Sequence, residues 1–145
     1  MGDTFKLQSV LNHRGLLEDQ ARQRLAATLN DERALRERFV QEHEALAQLQ
    51  TELRRKQMHG VSIQDLLLYE AHIEHRGRVL RYLTKECEDM EREVAACRLD
   101  LCKVSQDRQL LEQLKTKHEV AEHQMQMQRE TRVLDEIALQ VRGRA

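Results

Sequence analysis

The chain has 145 residues, of which 34% are charged and 3% aromatic, with no proline and a net charge of −1. Alanine, glutamate, lysine, leucine and arginine supply 75 of the 145 residues, a composition typical of coiled coils and long helices. The scarcity of aromatic and turn-forming residues argues against a β-sandwich or barrel. Neither G-x-G-x-x-G nor a P-loop occurs, and no basic stripe exists to neutralise phosphates, so nucleotide and nucleic-acid binding have little support.

The first predicted helix covers about residues 4–58. Apolar side chains recur there at alternating steps of three and four residues, which is the pattern of a coiled-coil seam with polar interruptions. The predicted seam positions are Leu7, Leu11, Arg14, Glu18, Ala21, Leu25, Thr28, Glu32, Leu35, Phe39, Glu42, Leu46, Leu49 and Leu53.

A turn is predicted at residues 59–62. Gly60 suits the left-handed conformation that ends a helix. Ser62 suits the cap of the next helix, and Asp65 occupies the third helical position. Val61 and Leu66 stand at the two positions of a hydrophobic staple. Together these residues indicate that one helix stops here and another begins.

The second predicted helix covers about residues 63–141, and its seam is more apolar. The step from Leu111 to Leu114 is a second consecutive step of three, followed by His118, Ala121 and Met125, which predicts a shift of the heptad phase. Before that shift, the seam positions are Leu66, Tyr69, Ile73, Arg76, Leu80, Leu83, Cys87, Met90, Val94, Cys97, Leu101, Val104, Arg108 and Leu111.

The two helices predict an all-α fold, a long two-helix antiparallel coiled-coil hairpin in which the C-terminal helix overhangs, forming a single domain over residues 1–145. If the chain folds back at the turn, residue i faces roughly residue 122 − i. Residues 116–141 then project beyond the first helix. Their apolar stripe at Leu134, Ile137, Ala138 and Val141 is either a docking surface or a frayed terminus.

Candidate chemistry is sparse along the chain. His72 and His75 have a spacing that can bind a metal, but further ligands are missing, and solvated histidines are the better interpretation. We find no nucleophile–base arrangement, so we predict a protein that is not an enzyme, with no cofactor and no metal site. Glu18 and Arg108 interrupt the two seams at nearly facing levels, and we hypothesise an ion pair that sets the register.

Targeting signals are also missing from this sequence. No apolar run behind a charged start resembles a signal peptide, and no run approaches the 18 residues of a membrane span. The odd cysteine count indicates reduced thiols. These features favour a cytoplasmic protein.

Three stretches resemble the family of the bacterial flagellar export protein FliJ, and the resemblance covers nearly the whole chain. They are Phe5–Leu11 followed by Arg14 and Glu18–Ala21, then Leu111–Lys115, and finally Leu134–Ala138, where the family carries an L-D-E-[ILF]-A-type signature. The order of a helix, a glycine-containing turn and a longer helix is similar as well.

The resemblance implies a central-stalk and coupling role in the flagellar type III protein export apparatus. Its implied partners are the export ATPase hexamer with its regulator, the membrane export gate and the export chaperones. It also implies a monomeric protein at the inner face of the cell membrane, at the flagellar base. Tyr69 and Leu83 match the gate-contacting region, and the implied contacts of the ATPase ring are Leu7, Leu11, Arg14, Leu134, Asp135, Ile137 and Ala138.

Two alternative functions stay open at this point. One is the equivalent stalk of a virulence type III secretion system. The other is a structural coiled-coil dimer or adaptor, whose mass in solution would be near twice 17.1 kDa.

Overall fold

The computed structural model describes residues 6–144 and consists of two long α-helices that pack against each other. Helix α1 spans Gln8–His59 and helix α2 spans Ile63–Gly143. Within residues 6–144 no strand occurs. The predicted all-α hairpin of two long helices is therefore confirmed. Residues 4–5, where the first helix was predicted to begin, lie outside the described residues.

The chain divides into two compact units, and each pairs a stretch of α1 with an antiparallel stretch of α2. The first unit contains Met1–Gln20 and Cys102–Ala145, and the second contains Ala21–Leu101. The turn belongs to the second unit, whereas the N-terminal part of α1 and the C-terminal part of α2 belong to the first.

The turn between the helices has the conformation that its residues predict. Gly60 has a φ of 94°, in the left-handed region, and it is the first residue after α1. The Ser62 Oγ accepts a hydrogen bond from the Asp65 amide at 3.2 Å, and the Ser62 carbonyl accepts one from the Leu66 amide at 3.0 Å. Ser62 is thus the N-cap of α2 and satisfies an amide that would otherwise lack a partner.

Two glycine-to-alanine substitutions are expected to change stability in opposite directions. Gly60→Ala places a Cβ in the left-handed region, which costs about 1–2 kcal/mol of unfolding free energy. Gly77→Ala lies inside α2, and its added Cβ meets only the Arg81 side chain at 3.8 Å, so it stabilises the helix by about 0.5–1 kcal/mol. Urea denaturation followed by circular dichroism measures both. Equal effects of the two substitutions would contradict this role of Gly60.

In each unit the core lies along the seam between the two helices, at the predicted positions. Every predicted seam residue of α1 from Leu11 to Leu53 is buried or half-buried, and so is every one of α2 from Leu66 to Leu111. Leu83 is fully buried, whereas Leu7 is 40% exposed. The cross-helix pairs lie within five positions of the predicted register, for example Arg76 with Glu42 at 2.9 Å.

The predicted shift of heptad phase after Leu111 is wrong. Leu114 is 49% exposed, and Ala121 and Met125 are exposed too. The half-buried positions instead continue at the regular spacing through Lys115, His118 and Glu122. Long polar side chains can cover a neighbouring helix with their aliphatic stems while their charged ends reach water. The apolar residues after Leu111 therefore predict the wrong face of α2 as the one that packs against α1.

Candidate functional site

The C-terminal end of α2 is an exposed helix that carries large apolar side chains. Residues 123–144 are all exposed. Leu134 is 65% exposed, Ile137 51% and Val141 65%. Four of the residues implied as ATPase contacts lie in this segment, namely Leu134, Asp135, Ile137 and Ala138.

Five of the apolar residues of this segment share one face of the helix. Successive residues of an α-helix are rotated by about 100°, so Leu134, Ile137, Ala138 and Val141 fall within an arc of about 100°. Met127, which is 53% exposed, lies two turns earlier on the same arc. We call these five residues the C-terminal stripe. Asp135 is rotated by about 100° from Leu134 and therefore flanks the stripe.

The C-terminal stripe does not continue the seam that packs against α1. Extending the heptad spacing from Glu122 leads to Met125, Arg129, Arg132, Glu136 and Leu139, three of which are charged. These positions lie on the opposite side of α2 from the stripe. The stripe is thus a separate apolar surface, suited to a partner other than α1.

The predicted contacts near the N-terminus are partly used in packing. Leu11 is only 8% exposed, because it lies in the seam. The Arg14 Nη1 is 3.4 Å from a carboxylate oxygen of Asp107, so residue 14 lies beside residue 107. By the same register Leu7 lies near residue 114, about 30 Å along α2 from Leu134. The structure therefore separates the N-terminal candidates from the C-terminal stripe.

A polar layer crosses the seam at Glu18 and Arg108. The Glu18 side chain is 3% exposed and accepts a hydrogen bond from Arg108 Nε. The Arg108 Nη1 also pairs with Glu112 at 2.7 Å. The hydrogen bond with Glu18, and secondly that with Glu112, raises the pKa of Arg108 above its ordinary value. The predicted contact between Glu18 and Arg108 is confirmed.

The two residues implied as gate contacts occupy different environments. Tyr69 is half-buried, and the Lys56 Nζ lies 4.9 Å from the centre of its ring, a cation–π contact between α1 and α2. Leu83 is fully buried in the seam, and a partner would reach it only if the helices separated. The two residues are about 21 Å apart along α2 and form no common surface.

Sequence reasoning left Met127 out of the stripe. The sequence does indicate that Met127 shares the face of the stripe, because it precedes Leu134 by seven residues, which is two helical turns. The glutamines around it, Gln124, Gln126 and Gln128, gave the segment a polar appearance.

Two further properties concern the part of the chain that the structure describes. None of its helices is both long and apolar enough to span a membrane. Its histidine, cysteine and acidic side chains form no group of three or more that could hold a metal ion.

The model of a family described as Flagellar FliJ protein matches residues 3–145, nearly the whole chain. No curated protein and no solved structure matches the chain.

Proposed function

Because the chain belongs to the Flagellar FliJ protein family, we propose that it is the central stalk of the flagellar type III export apparatus and couples the export ATPase ring to export. Membership of this family associates the chain with flagellar protein export. It also favours the flagellar apparatus over the stalk of a virulence system. The proposed activity is binding rather than catalysis.

The observation that supports this proposal is the exposed C-terminal stripe. Contiguous apolar surfaces that remain exposed on a folded chain mark sites of protein–protein contact. The stripe lies on one side of α2, so ATPase subunits placed around the helix would not all meet the same surface. A ligand shifts a conformational equilibrium only through different affinities for the states. A stripe on one side of α2, placed inside a ring of ATPase subunits, would bind the subunit that faces it more tightly than the other subunits.

The N-terminal candidates suit a supporting role in the same proposal. Leu7 and Arg14 retain exposed surface, whereas Leu11 holds α1 against α2. We place the ATPase contact mainly on Leu134, Ile137 and Ala138, with Asp135 at its edge. We further propose that the export gate is contacted through the surface around Tyr69, and that export chaperones bind this protein too.

The test of the ATPase contact is stimulation of the cognate export ATPase by the full chain. Unmodified protein is expected to raise ATP hydrolysis, and the variant Leu134→Asp/Ile137→Asp is expected to lose this effect while keeping its helicity. Two carboxylates in a buried contact cost about 2 kcal/mol or more of binding free energy, which weakens binding by roughly 30-fold. Steady-state hydrolysis against protein concentration measures the loss.

A matched control lies on the same segment. Leu139 is 67% exposed but stands on the opposite side of α2 from the stripe. Leu139→Asp is therefore expected to stimulate the ATPase as the unmodified chain does. Full stimulation by the Leu134→Asp/Ile137→Asp variant would remove the stripe from the proposed contact.

A further inference from the structure

The turn end of the second unit, which we define as residues 53–68, carries an unusual amount of exposed apolar surface. The three most exposed large apolar side chains of the described residues are all there: Met58 at 88%, Ile63 at 77% and Leu68 at 69%. Leu67 adds a fourth at 59%. None of these four belongs to the seam, so packing between α1 and α2 does not explain them.

The same end is locally basic. Residues 53–64 contain Arg54, Arg55, Lys56 and His59 and no acidic residue, although the whole chain has a net charge of −1. Arg54 and Arg55 are exposed, and neither has an ion pair within residues 6–144. Lys56 lies over the Tyr69 ring, where its ammonium stays at the protein surface. Asp65 is the one acidic residue among residues 53–68, and Glu52 directly precedes them.

The apolar side chains at this end point in several directions. Ile63 and Leu67 are four residues apart and share a face of α2, whereas Leu68 is rotated by about 100° from Leu67. From Ile63 to Leu68 the helix rises by only about 7.5 Å. A rigid partner that docks on one side would cover only part of this set. A fluid layer into which the turn end inserts would cover all of these apolar side chains.

We propose that the turn end binds the surface of an anionic lipid bilayer, with its apolar side chains among the upper acyl chains and its cations at the headgroups. Short apolar insertions to a depth of about 5–10 Å, combined with Lys and Arg, are the chemistry of interfacial binding. The excess of basic over acidic residues at this end favours an anionic bilayer as the occupant, because Lys and Arg near a membrane surface are attracted to anionic headgroups. This binding is additional to the proposed ATPase contact and uses none of the residues assigned to it.

The experiment is flotation of the full chain with vesicles of phosphatidylcholine and phosphatidylglycerol, and separately with vesicles of phosphatidylcholine alone. The chain is expected to float with the anionic vesicles only, and less so as salt is raised, because salt screens the headgroup attraction. The variant Met58→Gln/Ile63→Gln/Leu68→Gln is expected to bind about ten-fold less. The variant Arg54→Gln/Arg55→Gln is expected to lose the preference for anionic vesicles.

A matched control replaces exposed apolar residues away from the turn. Val40, Leu99 and Leu110 are 51%, 68% and 60% exposed, and their triple replacement by glutamine is expected to leave flotation unchanged. Circular dichroism checks that all variants remain helical. Absence of flotation, flotation independent of lipid charge, or equal flotation of the turn-end variant would overturn the proposal. ATPase stimulation by the turn-end variant is expected to stay normal, so failure here is distinguishable from failure of the stalk function.

Discussion

Leu83→Ala is expected to lower the free energy of unfolding by about 2–5 kcal/mol, the range for large-to-small substitutions in a core. Leu83 has no exposed surface, so the substitution removes apolar contact and leaves a cavity between the helices. The buried apolar residues of the described chain are few, namely Leu11, Ala21, Leu83 and Val94. Losing one of them therefore removes a large share of the core. Urea denaturation followed by circular dichroism measures the change.

Leu99→Ala is the matched control for this prediction. Leu99 lies on the same helix and is 68% exposed, so its truncation is expected to change stability by less than about 0.5 kcal/mol. If Leu83→Ala had an effect as small as that of Leu99→Ala, the seam would not be the core of the second unit.

Arg108→Met is expected to destabilise the chain more than Glu18→Leu does. The Glu18 side chain is 3% exposed, and Arg108→Met takes away a cationic partner of this buried carboxylate. In Glu18→Leu, by contrast, Arg108 keeps its pair with Glu112 and its access to water, since 23% of its side chain is exposed. Removing the partner of the more deeply buried charge lowers the free energy of unfolding more than removing the partner of the more exposed charge. We expect thermal midpoints to fall by several degrees for Arg108→Met and by less for Glu18→Leu.

The double variant Glu18→Leu/Arg108→Met completes a cycle for this pair. It replaces both charges by apolar side chains of similar size, which is often neutral or stabilising relative to a buried ion pair. Its midpoint is therefore expected to lie above that of Arg108→Met alone. Strictly additive effects of the two single changes would show that the pair contributes no coupling, and that the register of the first unit is set elsewhere.

Most of the fold could be predicted from the sequence because its determinants are local or periodic. Gly60 and Ser62 stand within three residues of each other, and each acts on the backbone beside it. The seam follows from the spacing of apolar residues, and even polar interruptions such as Glu18 were placed correctly, since the steps of three and four continue through them.

The errors and omissions arose where apolar character and burial diverge. Leu114 is apolar yet 49% exposed, while the neighbouring Lys115 is half-buried, because the position on the helix decides which residue meets α1. The seam spacing correctly predicted that Leu83 is buried, whereas the family resemblance assigned it to a gate contact, which its full burial keeps out of a partner's reach while the helices are packed. The turn end escaped notice for a related reason: Met58, Ile63 and Leu68 form no period, and only the folded chain brings them to one end.

The contacts between α1 and α2 differ widely in the number of residues that separate the two partners along the chain. The cation–π contact of Lys56 with Tyr69 closes a short loop around the turn, whereas the Glu18–Arg108 pair joins residues 90 positions apart. Because closing a short loop costs less entropy than closing a long one, we expect the contacts near Gly60 to form first and the Glu18–Arg108 layer to form late. By the same reasoning, we expect the first unit, which contains the C-terminal stripe, to open before the second.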